Sequence, residues 1–291
     1  MPSRYRSRGR ARALLVLCLL PAVALAQAPP PVEDLRERAT AYVDQFIARF
    51  SSVVAEERLL QETTSLPAKR GEGMNQQMTQ AMPGRREIRS DFLFIRREAS
   101  ENWHVYRDAF EVDGRAVRDR GDRLMKLLTA PSLSNEQLAF KIAQESSRYS
   151  LSPGLRTVDD PILVLVFLQP KYHPRFRFTR GGRDRELGAD VWVVNFQEQA
   201  RPTMVRGQNN ADAASTGKVW IDAATGRVLK TELRVNSSQV QTTFSWDESL
   251  GVAVPAEMRD SYMVGPTAFR ARATYSRFRR FDVSTSEKIE P

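Results

Sequence analysis

Between residues 35 and 50 the apolar positions Leu35, Ala39, Tyr42, Phe46 and Phe50 recur at steps of three and four, with Glu33 and Asp34 just ahead of them. That spacing predicts an amphipathic helix with acids at its positive end. From Val53 the helical period is lost, and Val54 to Thr63 reads as a strand leaving the helix. Residues 65–85 are polar and unpatterned, with Gly71, Gly73, Gly84, Pro67 and Pro83, and predict a loop that serves as a movable rim. Strands follow over Ile88–Ile95 and Trp103–Val112, then a turn at Asp113-Gly114 and a short return strand through Val117.

A helical block comes next. Leu124–Leu128 is a short segment, and Ser134 with Gln137 forms a capping box that opens a longer helix, with Leu133 and Leu138 at the staple positions and Leu138, Ile142 and Tyr149 on its buried side. Asp160-Pro161 reads as a cap and first helical residue for Ile162–Leu168, which is apolar all round and far too short to span a bilayer. The second half is strand and turn: 175–179, 190–196, 218–222, 227–235, 240–246, 253–259 and 269–283. In the fourth, Leu229, Leu233 and Val235 share one face and Lys230, Glu232 and Arg234 the other. In the fifth, Val240, Thr242, Phe244 and Trp246 align. The short turns imply consecutive antiparallel neighbours, so the sheet is a meander that must curl. The expected fold class is α+β, a large curved half-barrel of roughly 9–11 strands, with an N-terminal helix and a helical insertion on or over its concave face.

The chain has 291 residues, 44 Lys+Arg and 35 Asp+Glu, and five of those arginines stand among the first twelve residues. An apolar run from Ala13 to Leu20 follows, Pro21 breaks it, and Ala24-Leu25-Ala26 supplies small residues at −3 and −1. This is the pattern of a secretory signal peptide at 1–26, cleaved between Ala26 and Gln27, with 27–30 a short linker and 31–291 a single domain. The mature form is expected to be periplasmic or secreted, with no transmembrane anchor. Without the leader, most of the excess positive charge disappears, which removes the support for nucleic-acid binding. Cys18, the one cysteine, goes too. The mature chain is therefore expected to fold without disulfide or thiolate metal site.

Catalytic signatures are sparse. Asp108, Glu111, Asp113, Asp119 and Asp122 cluster in sequence, each with an arginine nearby, and read as ion pairs around a hairpin and a helix start. His104 and His173 show no metal-ligand spacing, and no nucleophile elbow, Walker loop or dinucleotide fingerprint occurs. No enzyme activity, metal or cofactor is expected. Tyr275, Phe278 and Phe281 interleave with Arg277, Arg279 and Arg280, which reads as an edge or closing strand with Tyr275 and Arg277 on one face and Phe278 on the other. Asn236-Ser237-Ser238 matches a glycosylation sequon and reads as a turn between strands.

The run Val219-Trp220-Ile221-Asp222-Ala223-Ala224-Thr225-Gly226-Arg227-Val228-Leu229-Lys230-Thr231-Glu232, with an opening helix, a curved meander and a helical insertion, resembles the LolA/LolB/RseB group of periplasmic half-barrels. The chain also resembles exported bacterial proteins of unassigned function, through Arg107-Asp108, Phe110 to Arg115 and the closing Ala273 to Phe281. The first resemblance implies a cleft lined by apolar side chains of a concave sheet. Phe92, Phe94, Phe167, Trp192, Phe196, Trp220, Phe244 and Trp246 are the candidates for its lining, since Phe92–Ile95 and Ile162–Leu168 are apolar on all sides. The expected ligand is a lipid or other hydrophobic small molecule. The alternative is an RseB-like interaction module that meets an envelope protein partner through a basic outer face and a sheet edge.

Overall fold

The structure, a computed structural model, describes residues 29–50, 53–65, 84–96, 103–118, 121, 123, 134–152, 158–207 and 211–280. Helix α1 (Val32–Phe50) is followed by β1 (Val53–Ser65), β2 (Gly84–Arg96), β3 (Trp103–Val112) and β4 (Arg115–Ala116). Helices α2 (Asn135–Ser146) and α3 (Leu163–Phe167) and a 3₁₀ turn (Pro170–Arg175) come next. Strands β5 (Phe176–Arg183), β6 (Val191–Glu198), β7 (Thr216–Asp222), β8 (Val228–Val235), β9 (Ser238–Asp247), β10 (Val252–Val264) and β11 (Thr267–Arg280) complete the described residues.

All eleven strands form one open antiparallel sheet in the order β4-β3-β2-β1-β11-β10-β9-β8-β7-β6-β5. Every neighbour is consecutive in sequence except β1 and β11, which pair over twelve register positions and tie the two ends of the described chain together. The result is the α+β half-barrel with few helices that the strand pattern predicts. β11 is therefore a central strand, not an edge. Its alternation is also broken: Arg277 has φ 54° and the β1–β11 register shifts between Val54 and Glu56. The bulge puts Phe278 on the side of Tyr275, packed against the core and Phe50, while Arg277 and Arg279 point the other way to Glu56 and Asp91.

Helix α1 lies on the concave face with Leu35, Ala39, Val43 and Phe46 fully buried. Its Tyr42 hydroxyl accepts from the Ala253 amide at 3.0 Å, and burial pushes that phenol up to about 12. Arg38 donates to the Ala223 carbonyl in the β7–β8 turn, where Gly226 (φ 73°) comes so close that a Cβ would run into the Arg38 carbonyl oxygen. Asp222 shapes the same turn by accepting from the amides of Ala224 and Thr225 at 3.1 and 2.9 Å. Gly217 is a second obligatory glycine, because a Cβ there would run into the Glu232 carbonyl and the Phe196 ring.

α2 begins with the capping box of Ser134 and Gln137 and buries Ile142. The expected staple residues and the segment 124–128 lie outside what is described of side chains and backbone. The apolar run 162–168 is a shorter helix than its sequence suggests. Asp160 caps it differently, accepting from the Ile162 amide at 2.9 Å while Ile162 itself takes the N-cap position. In β8, a register shift opposite Trp220 and Ile221 makes Val228, not Leu229, the inward residue beside Leu233 and Val235.

Candidate functional site

The eight residues expected to line a cleft fall into three groups. Phe92, Phe94, Phe167, Phe196 and Phe244 all belong to the buried core on the concave side. Phe167 stacks on Phe176 at 4.8 Å and meets Phe196 edge-on at 5.8 Å, so α3 is the piece that fills the concave sheet over β5 and β6. Trp192 and Trp246 occupy the rim. Trp192 is half-buried under the guanidinium groups of Arg180 and Arg183, and Trp246 is 45% exposed with Arg227 5.5 Å above its ring. Trp220 is on the opposite face from Val219 and Ile221, because it pairs with Lys230 and not with an inward residue. Its indole donates to Asp184 at 2.8 Å, and the Lys230 ammonium stands 4.6 Å from the ring centre. Trp220 is thus an outer-face residue, a correction that follows from strict alternation on β7. Ala26 and Gln27 lie outside the described residues, as does the expected rim 65–85 except for its ends, where Ser65 closes β1 and Gly84 and Arg85 open β2 as strand, not loop.

The concave face carries a second feature that no apolar pattern announces. Glu57 (β1), Ser90 (β2) and Arg107 (β3) lie side by side across three strands, since Glu57 pairs with Ser90 and Arg107 with Phe92 one step on. Arg107 donates Nε–H to Glu57 Oε2 at 2.7 Å and Nη2–H to the Asp159 carbonyl at 2.6 Å, and its Nη1 stands 3.7 Å from the Asp159 carboxylate. The guanidinium also lies 5.5 Å over the Phe92 ring, and Ser90 donates to Glu57 at 3.4 Å. Burial opposes the charge of Arg107, but Glu57 and then Asp159 outweigh it and hold the group well above the usual arginine range. Burial and the Glu57 carboxylate push the Tyr275 phenol well up. Burial likewise raises the Asp160 carboxyl to about 6, against the pull of the Ile162 amide and Arg107.

Chemically this cluster is a clamp. It joins three strands to the Asp159–Asp160 corner from which Ile162–Leu168 descends onto the sheet. At the far end of that segment, the Leu168 carbonyl accepts from Thr40 of α1 at 3.0 Å and lies 2.8 Å from His173 Nε2. His173 thereby has a structural tie, and the side chain of His104 lies outside the description. Asp108 pairs with Arg123, one of the arginines near it in sequence, whereas Glu111 and Asp113 pair across the sheet with Arg89 and Arg86 of β2, and Asp119 and Asp122 are not described. Among the described residues, no group of three or more His, Cys, Asp or Glu is placed to hold a metal. No helix among them is long and apolar enough to cross a membrane.

Sequence reasoning offered Arg107 among the arginines beside the 108–122 acids and in a resemblance, but passed over Glu57, the carboxylate it actually pairs with. The usable signal was a glutamate and an arginine at inward positions of otherwise apolar strands, which becomes visible only once the strand register is known.

Strand order, register and covering helices define an open antiparallel half-barrel whose concave side is closed by its own helices. No family model matches the chain, and no curated protein matches it. Among solved structures, it is similar to the crystal structure of a domain described as an outer membrane lipoprotein-sorting protein domain from Vibrio parahaemolyticus. The identity is 12%, the match covers 86% of this chain and 95% of that one, and the TM-score is 0.39.

Proposed function

We propose that the chain is an exported, non-catalytic binding protein that takes a hydrophobic ligand, such as an acyl chain, against its concave sheet. The observation that carries this reading is the nature of the cover. Ile162, Val164, Leu165, Phe167 and Leu168 are buried, yet they come from a five-residue helix and its two caps, with no side-chain hydrogen bond from the N-cap residue. So short a helix has little stability of its own and is held by what it packs against. Its attachments are polar and sit at its two ends, at Arg107 with Asp159 and at Thr40 with Leu168.

A ligand that replaced this segment would exchange one apolar cover for another of similar area. Each Å² of apolar surface removed from water contributes about 25 cal/mol, so the exchange costs little on the sheet side. The described acids near the site are ion-paired or capping, which fits a binding role rather than acid-base chemistry. Native mass spectrometry of the exported protein, combined with solvent extraction and displacement of a fluorescent fatty-acid probe, tests the reading. Co-purifying lipid or saturable probe uptake is the expected result. Folded, delipidated protein that neither releases lipid nor binds probe would rule it out.

A further inference from the structure

The outer face of the sheet is ordered in a way that the concave face does not explain. Across β6 to β11, Gln197, Thr216, Arg234, Gln239, Ser261 and Arg270 are successive cross-strand partners. One step along the strands, Asn195, Lys218, Glu232, Gln241, Arg259 and Arg272 form a second unbroken rung. Arg177 on β5 continues the first rung beyond Gln197. At about 4.8 Å per strand, the rungs run for roughly 30 Å across the sheet. Two shallow depressions of about 390 and 440 Å³ lie along them, one on each side of the β8–β9 pair.

The charges on these rungs are layered. Glu232, the carboxylate they contain, is buried beside Arg234 at 2.9 Å. Glu257, one position further, pairs with both Arg259 and Arg272 and is 20% exposed, while those arginine side chains are 63% and 57% exposed. Arg177, Lys218 and Arg270 are exposed, and Arg270 stands opposite the exposed Glu62 of β1. Over β5 to β10 the acids are sunk and the cations stand out, so this part of the face presents positive charge with amide and hydroxyl groups between, while at β11 the exposed Glu62 of β1 borders the rung. These two rungs carry no aromatic ring, and Trp220 on the next one is buried with Lys230 over its ring, so single-stranded nucleic acid finds no open ring to stack on.

We propose that this face binds an elongated acidic polysaccharide, carboxylated or sulfated, lying across the strands. Spaced guanidinium and ammonium groups match its anions, and Gln197, Thr216, Gln239 and Ser261 supply donors and acceptors for its hydroxyls. The site is on the opposite side of the sheet from the proposed hydrophobic cleft and does not depend on it.

Surface plasmon resonance of the purified protein on immobilised heparin and alginate, with dextran and a single-stranded oligonucleotide for comparison, tests the assignment over a salt series. The triple variant Arg177→Gln, Lys218→Gln, Arg270→Gln is expected to weaken binding to the acidic glycans by about tenfold or more and to flatten its salt dependence. A control with the same charge change elsewhere, Arg115→Gln, Arg118→Gln, Arg148→Gln, is expected to bind as the parent does. Thermal melts establish that both variants are folded. The proposal is overturned by no binding to either acidic glycan, by equal binding to dextran, by an equal loss in the control, or by an oligonucleotide that binds as tightly through the same three residues.

Discussion

Arg107 on β3 reaches across β2 to Glu57 on β1, placing a 2.7 Å ion pair on the concave face where both side chains are within 9% of full burial. Such a pair is costly to desolvate, and it repays that cost only when the remaining donors are also used. Here the compensation is partial: the guanidinium also bonds the Asp159 carbonyl and lies over Phe92, while Glu57 Oε1 is buried without a hydrogen-bond partner. The pair thereby fixes where the chain turns from the helical block onto the sheet.

Removing one partner alone should therefore be expensive. Arg107→Met and Glu57→Leu, taken separately, are each expected to lower unfolding stability by about 3–5 kcal/mol, because each leaves an uncompensated buried charge. The double variant is expected to lose much less than the sum. Urea melts of the four proteins form the cycle, and additive losses would show that the two residues act independently.

Asp160 gives the clamp a pH dependence of definite sign. Its folded carboxyl titrates near 6, above the ordinary 3.8, so the folded state holds the proton more tightly than the unfolded chain does. The stability contributed by this group is fully present below the unfolded value and is lost as pH rises through the folded one. Asp160→Asn keeps an oxygen for the Ile162 amide but does not titrate. The stability of the parent minus that of the variant should fall between about pH 4 and pH 6 and then level off, as read from urea midpoints. A difference that is flat across this range would contradict the assignment.

The β7–β8 turn is held against α1 at closest approach. Gly226→Ala would add a side chain at positive φ and drive it into the Arg38 carbonyl, so a loss of at least about 1–3 kcal/mol is expected from backbone strain alone. Thr225→Ala, one residue away, removes an exposed hydroxyl that donates to Asp222 and accepts from the Arg227 amide and Nε–H, and should cost only about 1 kcal/mol. Thermal melts in which the two variants moved equally would show that α1 does not depend on this approach.

Much of this architecture can be read from periodicity. The alternation of β9 and the capping box of α2 are local patterns, and both appear in the structure where the sequence puts them. What periodicity missed was local departure from it. One bulge moves Phe278 to the side of Tyr275, and another exchanges Leu229 for Val228. No composition rule marks a non-glycine residue such as Arg277 for positive φ. The pairing of β1 with β11, which makes β11 central, is a contact between residues more than two hundred positions apart. Trp220 was misplaced for a different reason: a tryptophan is usually core, but this one has its indole N–H and ring face satisfied by Asp184 and Lys230 outside.

Phe167 allows the filled core and the displaceable cover to be told apart. Its ring is fully buried against Phe176 and Phe196, so Phe167→Ala is expected to cost about 3–5 kcal/mol if α3 is simply core. The void left behind would be lined by apolar groups, and such cavities stay dry and accept apolar guests. If the segment is a cover over a ligand face, the same change loosens it, and a fatty acid should then raise the melting temperature of the variant more than that of the parent. Binding to the folded state stabilises in proportion to the logarithm of ligand over dissociation constant, so a titration separates a real site from solvent effects. Probe uptake should rise in parallel. A variant that is destabilised as expected but gains neither stability nor probe in the presence of fatty acid would assign Phe167 to the packed core alone.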